Sequence, residues 1–134
     1  MLEITEHAIA ERGDLLSEEL RKLRSAGVRL AIDDLARSCS NLLQVIELSP
    51  DIIKLDRSLV TEIDAHPPRR ALAAAAVFFA AESGAVLIAE DIETEAELRT
   101  LRKLGVQRVQ GWALGRPERL ERNGAAPAPA PSPG

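Results

Sequence analysis

The sequence predicts an α/β chain of about five parallel strand–helix units. Three observations lead there. Short apolar runs alternate with helical repeats along most of the 134 residues. Several of the runs end in acids or carry a lysine near their ends. The stretches between them are long enough to carry the chain over to a parallel neighbour.

The elements follow in order. Met1–Glu6 alternates Leu2 and Ile4 with Glu3 and Thr5, a short strand. Asp14–Ala26 places Leu15, Leu16, Leu20 and Leu23 at helical spacing and stops at Gly27. Val28–Asp34 is an apolar run closed by two acids, and Asn41–Leu48 is a short helix stopped by Ser49-Pro50. Asp51–Asp56 is a β-branched strand carrying Lys54. An Ala-rich helix over Arg69–Ser83 ends at Gly84, and Ala85–Glu90 is the next strand. Thr94 with Glu97 forms a capping box that starts a helix to Leu104, with Leu98, Leu101 and Leu104 as its buried stripe. Arg108–Leu114 is a last strand carrying Gln110. The Pro/Ala-rich end reads as a disordered tail over 121–134, leaving 1–120 as one domain.

Composition narrows the function. Net charge is −4, no basic run stands out and aromatics are 2%, so duplex binding and base stacking are not expected. Cys39 is the single cysteine, which fits a reducing cytoplasm and a plain loop or helix residue. No apolar stretch reaches the roughly 18 residues of a membrane span, and no signal peptide is expected.

The polar groups share a position. Asp33 and Asp34 end one strand, Lys54 and Asp56 lie near the end of the next, and Glu90 ends a third. Parallel α/β folds bind ligands beyond the carboxyl ends of their strands. Acids there suit Mg²⁺ or Mn²⁺ and metal-assisted phosphoryl chemistry, with Lys54 holding a phosphate or a metal-bound water. Taken singly, each is equally a turn or helix-capping residue on an unspecialised surface.

Five segments decide between these readings by resemblance. LEITE (2–6), GVRLAIDD (27–34), LSPDIIKLDRSLV (48–60), AEDIETEAEL (89–98) and VQGWALGRP (109–117) resemble the successive motifs of the EAL domain family, in order and in register. The resemblance implies a partial (β/α)8 TIM-type barrel whose N-terminal strands are missing. It implies metal-dependent hydrolysis of cyclic di-GMP to the linear dinucleotide, with Mg²⁺ or Mn²⁺ as cofactor. Position by position, Glu3, Asp33 and Asp34 match metal ligands. Glu90 matches the proposed general base or second-site ligand, and Lys54 the lysine at the catalytic water. Glu93 matches the glutamate bracing the loop after the paired aspartates, and Gln110 the glutamine facing the pocket.

The chain departs from the family pattern in three places. The Glu-Ala-Leu signature and the asparagine of the following strand are absent, since both belong before Met1. The loop after the acid pair replaces its two glycines by Ala36 and Ser38, at a conformational cost. Asp91 stands where the family has glycine. These departures imply a chain that is inactive alone, or a non-catalytic interaction or nucleotide-binding module, or a non-functional remnant of a barrel. An eight-stranded barrel takes about 250 residues, so open edges and an exposed apolar interior are expected, with self-association or an upstream domain as partner.

Overall fold

The computed structural model describes residues 1–35 and 42–111. Its five strands are β1 (Leu2–Thr5), β2 (Leu30–Asp33), β3 (Ile52–Leu55), β4 (Val86–Ala89) and β5 (Arg108–Val109). They form one sheet in the order β1-β2-β3-β4-β5, parallel throughout. The helices are α1 (Glu6–Ser25), α2 (Leu42–Leu48), α3 (Arg57–Val60), α4 (Pro67–Ser83) and α5 (Glu95–Leu104). Every crossover steps in one direction along the sheet, and right-handed crossovers of that kind put all helices on one face. This is the partial α/β barrel expected.

Alternation along the strands sorts the side chains between two faces. Ile4, Leu30, Ile32, Ile53, Leu55, Leu87 and Ala89 are buried on the helix side, against Ile9, Leu20, Val45, Ala73, Ala76, Ala80, Leu98 and Leu101. Each fully buried Leu or Ile contributes about 1.5–3 kcal/mol. The other face carries Glu3, Ala31, Asp33, Ile52, Lys54, Val86 and Ile88. It is apolar and exposed only in part: Ala31 and Ile52 are buried, whereas Val86 and Ile88 are half-buried.

Local signals set most boundaries. The Thr94–Glu97 capping box is present in both directions, and Gly84 and Gly105 close α4 and α5 with φ of 75° and 93°. Pro67 starts α4 at a position that needs no N–H, two residues before the expected start. Sequence reasoning misplaced α1. The helix begins at Glu6, because Thr5 caps it by accepting from Ala8 N at 3.3 Å. A kink at Arg12 (φ −139°) bends its first half away from the spacing of the leucines that follow. Leu15 (79% exposed) and Leu23 (42%) consequently point outward, and Ile9 and Leu20 form the buried contact. The short α3 was not anticipated; Asp56 caps it by accepting from Ser58 N at 3.0 Å.

Long side chains stitch the crossovers. Arg24, near the end of α1, donates to Leu48 O at 2.5 Å and to Ser49 O, and lies 3.6 Å from Asp51. Asp51 in turn accepts from Leu30 N at 2.8 Å. At the far end of the sheet, Gly111 lies so close to the β4–α5 connection that an added Cβ would sit 2.2 Å from Ile92 N. Its φ of 155° also disfavours a side chain. Gly111→Ala is therefore expected to cost about 2–3 kcal/mol, measured as a lower midpoint in urea with the slope unchanged.

Candidate active site

The strand register brings the predicted residues to one end of one face. Glu3 pairs in register with Ala31, Thr5 with Asp33, and Lys54 with Ile88. Glu3 thus lies one pleat deeper than Asp33 on the same face. Lys54 reaches across to both sides: its Nζ donates to Glu3 Oε1 at 3.1 Å and lies 2.7 Å from Glu90 Oε1. One ammonium therefore ties β1, at the sheet's edge, to the residue just beyond β4. Lys54 is half-buried, with 15% of its side chain exposed, so water screens these pairs incompletely.

The charges are unequal. The hydrogen bond to Glu90, then that to Glu3, holds the Lys54 ammonium well above the ordinary lysine range, against the opposing effect of burial. Glu3 is lowered, first by Lys54 and then by a hydrogen bond with Asp33. Asp33 is pushed up to about 6, first by burial, then by that bond with Glu3 and by the neighbouring Asp34 charge. Below about pH 6 these two shifts put the proton on Asp33, which donates to an ionised Glu3. Asp34 turns the chain at φ 62°, a left-handed conformation Asp tolerates, and its N–H donates to Asp33 Oδ1 at 2.9 Å.

The remaining predicted residues frame this line. Glu93 is exposed and pairs with Arg57 at 2.5 Å. Gln110 is exposed; its N–H donates to Ala89 O at 2.8 Å and its carbonyl accepts from Ile92 N at 3.2 Å. Asp91, exposed beside Glu90, adopts φ 57°, a conformation that favours the glycine the family has there. Ala36, Ser38 and Cys39 lie outside the described residues, as does the tail.

Two residues, Arg57 and Glu97, escaped the sequence reading as parts of this region. Arg57 binds Glu93. Asp56 shares a side-chain hydrogen bond with Asp34, and it stays below the usual carboxylate range despite burial because Ser58 Oγ and N both donate to it. Glu97 was legible as a cap but not as a buried carboxylate, and a charge at N3 gives no sign of how deep it sits. A groove of about 620 Å³ lies elsewhere, between α1 and α2 beside Arg21, Arg24 and Glu47, and holds none of the predicted residues.

The donor set suits a hard divalent ion to a limited extent. Glu3 and Asp33 bring their carboxyl groups within hydrogen-bonding reach, sharing a proton below about pH 6 whose place an ion would take. Among the described residues no group of three or more His, Cys, Asp or Glu converges as a ready ligand set. The fit thus extends to a pair of ligands.

The comparisons with known proteins bear on the same residues. Residues 1–117 match the family described as EAL domain. The chain belongs to the EAL domain family. It is 32% identical over 120 residues to a probable cyclic di-GMP phosphodiesterase, PdeA of Escherichia coli, covering 90% of this chain and 16% of that protein. It therefore spans about a sixth of that relative's length. Among solved structures it resembles the Klebsiella pneumoniae BlrP1 manganese/cy-diGMP complex with a TM-score of 0.78 and 34% identity, covering 82% of this chain and 28% of that one. It also resembles the EAL domain of Mycobacterium smegmatis DcpA, with a TM-score of 0.74 and 35% identity, over 82% of this chain and 49% of that one. The EAL chain thus corresponds in extent to about half of that domain.

Two outcomes follow from the electrostatics. The folded Asp33 binds its proton more tightly than an ordinary Asp of pKa 3.8, so the fold loses stability as pH rises from 3.8 towards 6. Asp33→Asn should raise stability at pH 7 by about 1 kcal/mol after solvent screening, with the gain vanishing near pH 4 in thermal melts. Lys54→Met should lower it at pH 7 by about 1–2 kcal/mol, because Glu3 and Glu90 lose their counter-charge. That loss should shrink in acid as Glu3 takes up a proton.

Proposed function

We propose that this chain contributes one half of a cyclic di-GMP phosphodiesterase site and does not hydrolyse the nucleotide by itself. The observation that supports this is the line Glu3–Lys54–Glu90, drawn across the strand ends where parallel α/β folds work. In this reading Glu3 and Asp33 would contribute to one divalent ion, Mg²⁺ or Mn²⁺, and Asp34 to a second beside it. When bound, the ion activates water and neutralises the phosphate. Lys54 holds Glu90 in place and presents positive charge to the phosphodiester. Glu90 accepts a proton from the attacking water. Glu93, through Arg57, and Gln110, through the backbone, keep the loop after β4 in place.

Inactivity of the chain alone rests on the ligand count. Glu3 and Asp33 are a pair where a two-ion site needs more, and the printed sequence contains no Glu-Ala-Leu triplet. Among the described residues β1 and β5 are the outer strands of the sheet, where further strands could add. An upstream region, another subunit or a second copy would supply them there. No helix among the described residues is long and apolar enough to cross a membrane, and we place the chain in the cytoplasm.

A second reading, a non-catalytic interaction or nucleotide-binding module, is favoured by Asp91. Its acid stands beside Glu90 and adds negative charge where phosphate would approach.

Incubation with cyclic di-GMP and Mn²⁺, with products separated by chromatography, tests the proposal. The chain alone should release no linear dinucleotide. Adding the N-terminal half of an active EAL domain should restore release, and Lys54→Met should abolish it again. Turnover by the isolated chain would show that the site is complete without further strands. An upward melting shift with nucleotide and no turnover in the mixture would support the binding module; ligand at 100 times its Kd stabilises by about 2.7 kcal/mol.

A further inference from the structure

Glu97 is the one buried charged side chain among the described residues, with 3% of its surface exposed. A carboxylate that deep is costly unless its oxygens are hydrogen-bonded. Glu97 meets this with three backbone N–H donors. Its Oε2 accepts from Glu93 N at 2.9 Å and Thr94 N at 3.1 Å, and its Oε1 accepts from Glu62 N at 2.9 Å. These bonds keep it below the usual carboxylate range in spite of burial.

A helix cap explains only part of this. The capping box needs the bond from Thr94 N and nothing more. The other oxygen is spent on Glu62, which follows α3 and turns at φ 53°. Glu97 thereby binds the β4–α5 connection to the end of α3. Arg57 makes a second link between the same two pieces through Glu93. Ile92, within the connection and fully buried, donates through its N–H to Gln110 O and packs against Gly111. The connection is held at Ile92, Glu93 and Thr94, and Glu90 projects from it one pivot residue earlier, Asp91.

We propose that Glu97 is a positioning residue: its buried carboxylate fixes the connection after β4 against α3, and so aims Glu90 at Lys54. This rests on reading Glu90 and Lys54 as a site, but concerns their geometry alone.

Zero-length carbodiimide coupling of the full chain, without nucleotide or metal, reads that geometry. Peptide mass spectrometry gives the ratio of Lys54–Glu90 to Lys54–Glu3 amide. Glu3 sits on β1, far from Glu97 in the sheet, so it serves as internal reference. In Glu97→Gln the amide NH₂ must face one of the backbone donors, and the bridge or the cap is lost. The ratio should fall by about threefold to tenfold, the equilibrium weight of one net hydrogen bond. Leu101→Ala, a buried change on the same helix, should lower the melting point and leave the ratio unchanged. An unchanged ratio in Glu97→Gln, or an equal fall in both variants, overturns the proposal. Should Glu97→Gln not fold, amide hydrogen exchange of the unaltered chain decides. Glu62, Glu93 and Thr94 should be protected together, and free exchange at Glu62 would sink the idea. Absence of nucleotide hydrolysis leaves each of these readings intact.

Discussion

The Lys54 ammonium is the charge on which the rest of this face depends. A parallel sheet gathers the ends of its strands at one rim, and here those ends carry Glu3, Asp33, Asp34 and Glu90. Left alone, these acids would repel one another across a half-buried surface. One cation within 3.1 Å of Glu3 and 2.7 Å of Glu90 offsets two of them, and below about pH 6 a proton on Asp33 offsets a third. The acids are kept together by one ammonium, joined in mild acid by one shared proton.

That balance also couples fold to chemistry. Lys54 joins an edge strand to the fourth strand, so the charge pattern doubles as a tie across the sheet. Neighbouring strands are held by backbone ladders that carry no information about side chains. The Lys54–Glu3 contact joins β3 to β1, which share no ladder. The acids that look functional are consequently structural too, and the cost of removing any of them is shared between the two roles.

Much of this was readable in the residues. Strand runs ending in acids, the Thr94–Glu97 box and the glycines after α4 and α5 are local signals, and local signals survive in sequence. The convergence of Asp33, Lys54 and Glu90 was legible because parallel topology puts strand ends together whatever the exact register; Glu3 joined them only through the family resemblance. What failed depended on three-dimensional context. Leu15 and Leu23 have helical spacing, but spacing does not say which face a kinked helix presents. The four residues of α3 are too few to show a period. Glu97 reads as a cap because one of its oxygens does cap; its second oxygen answers a backbone group 35 residues away in sequence, which no local pattern encodes.

The order of the strands in the sheet is the order of the strands in the chain. No ladder spans more than one crossover, so each strand meets a neighbour already made. Loop-closure entropy is then met in small instalments instead of one long closure. Such a chain can gain structure as it leaves the ribosome, one strand and helix at a time, and a break between units leaves each side with contacts that are mostly its own. A barrel wound this way is divisible, and its pieces keep their order.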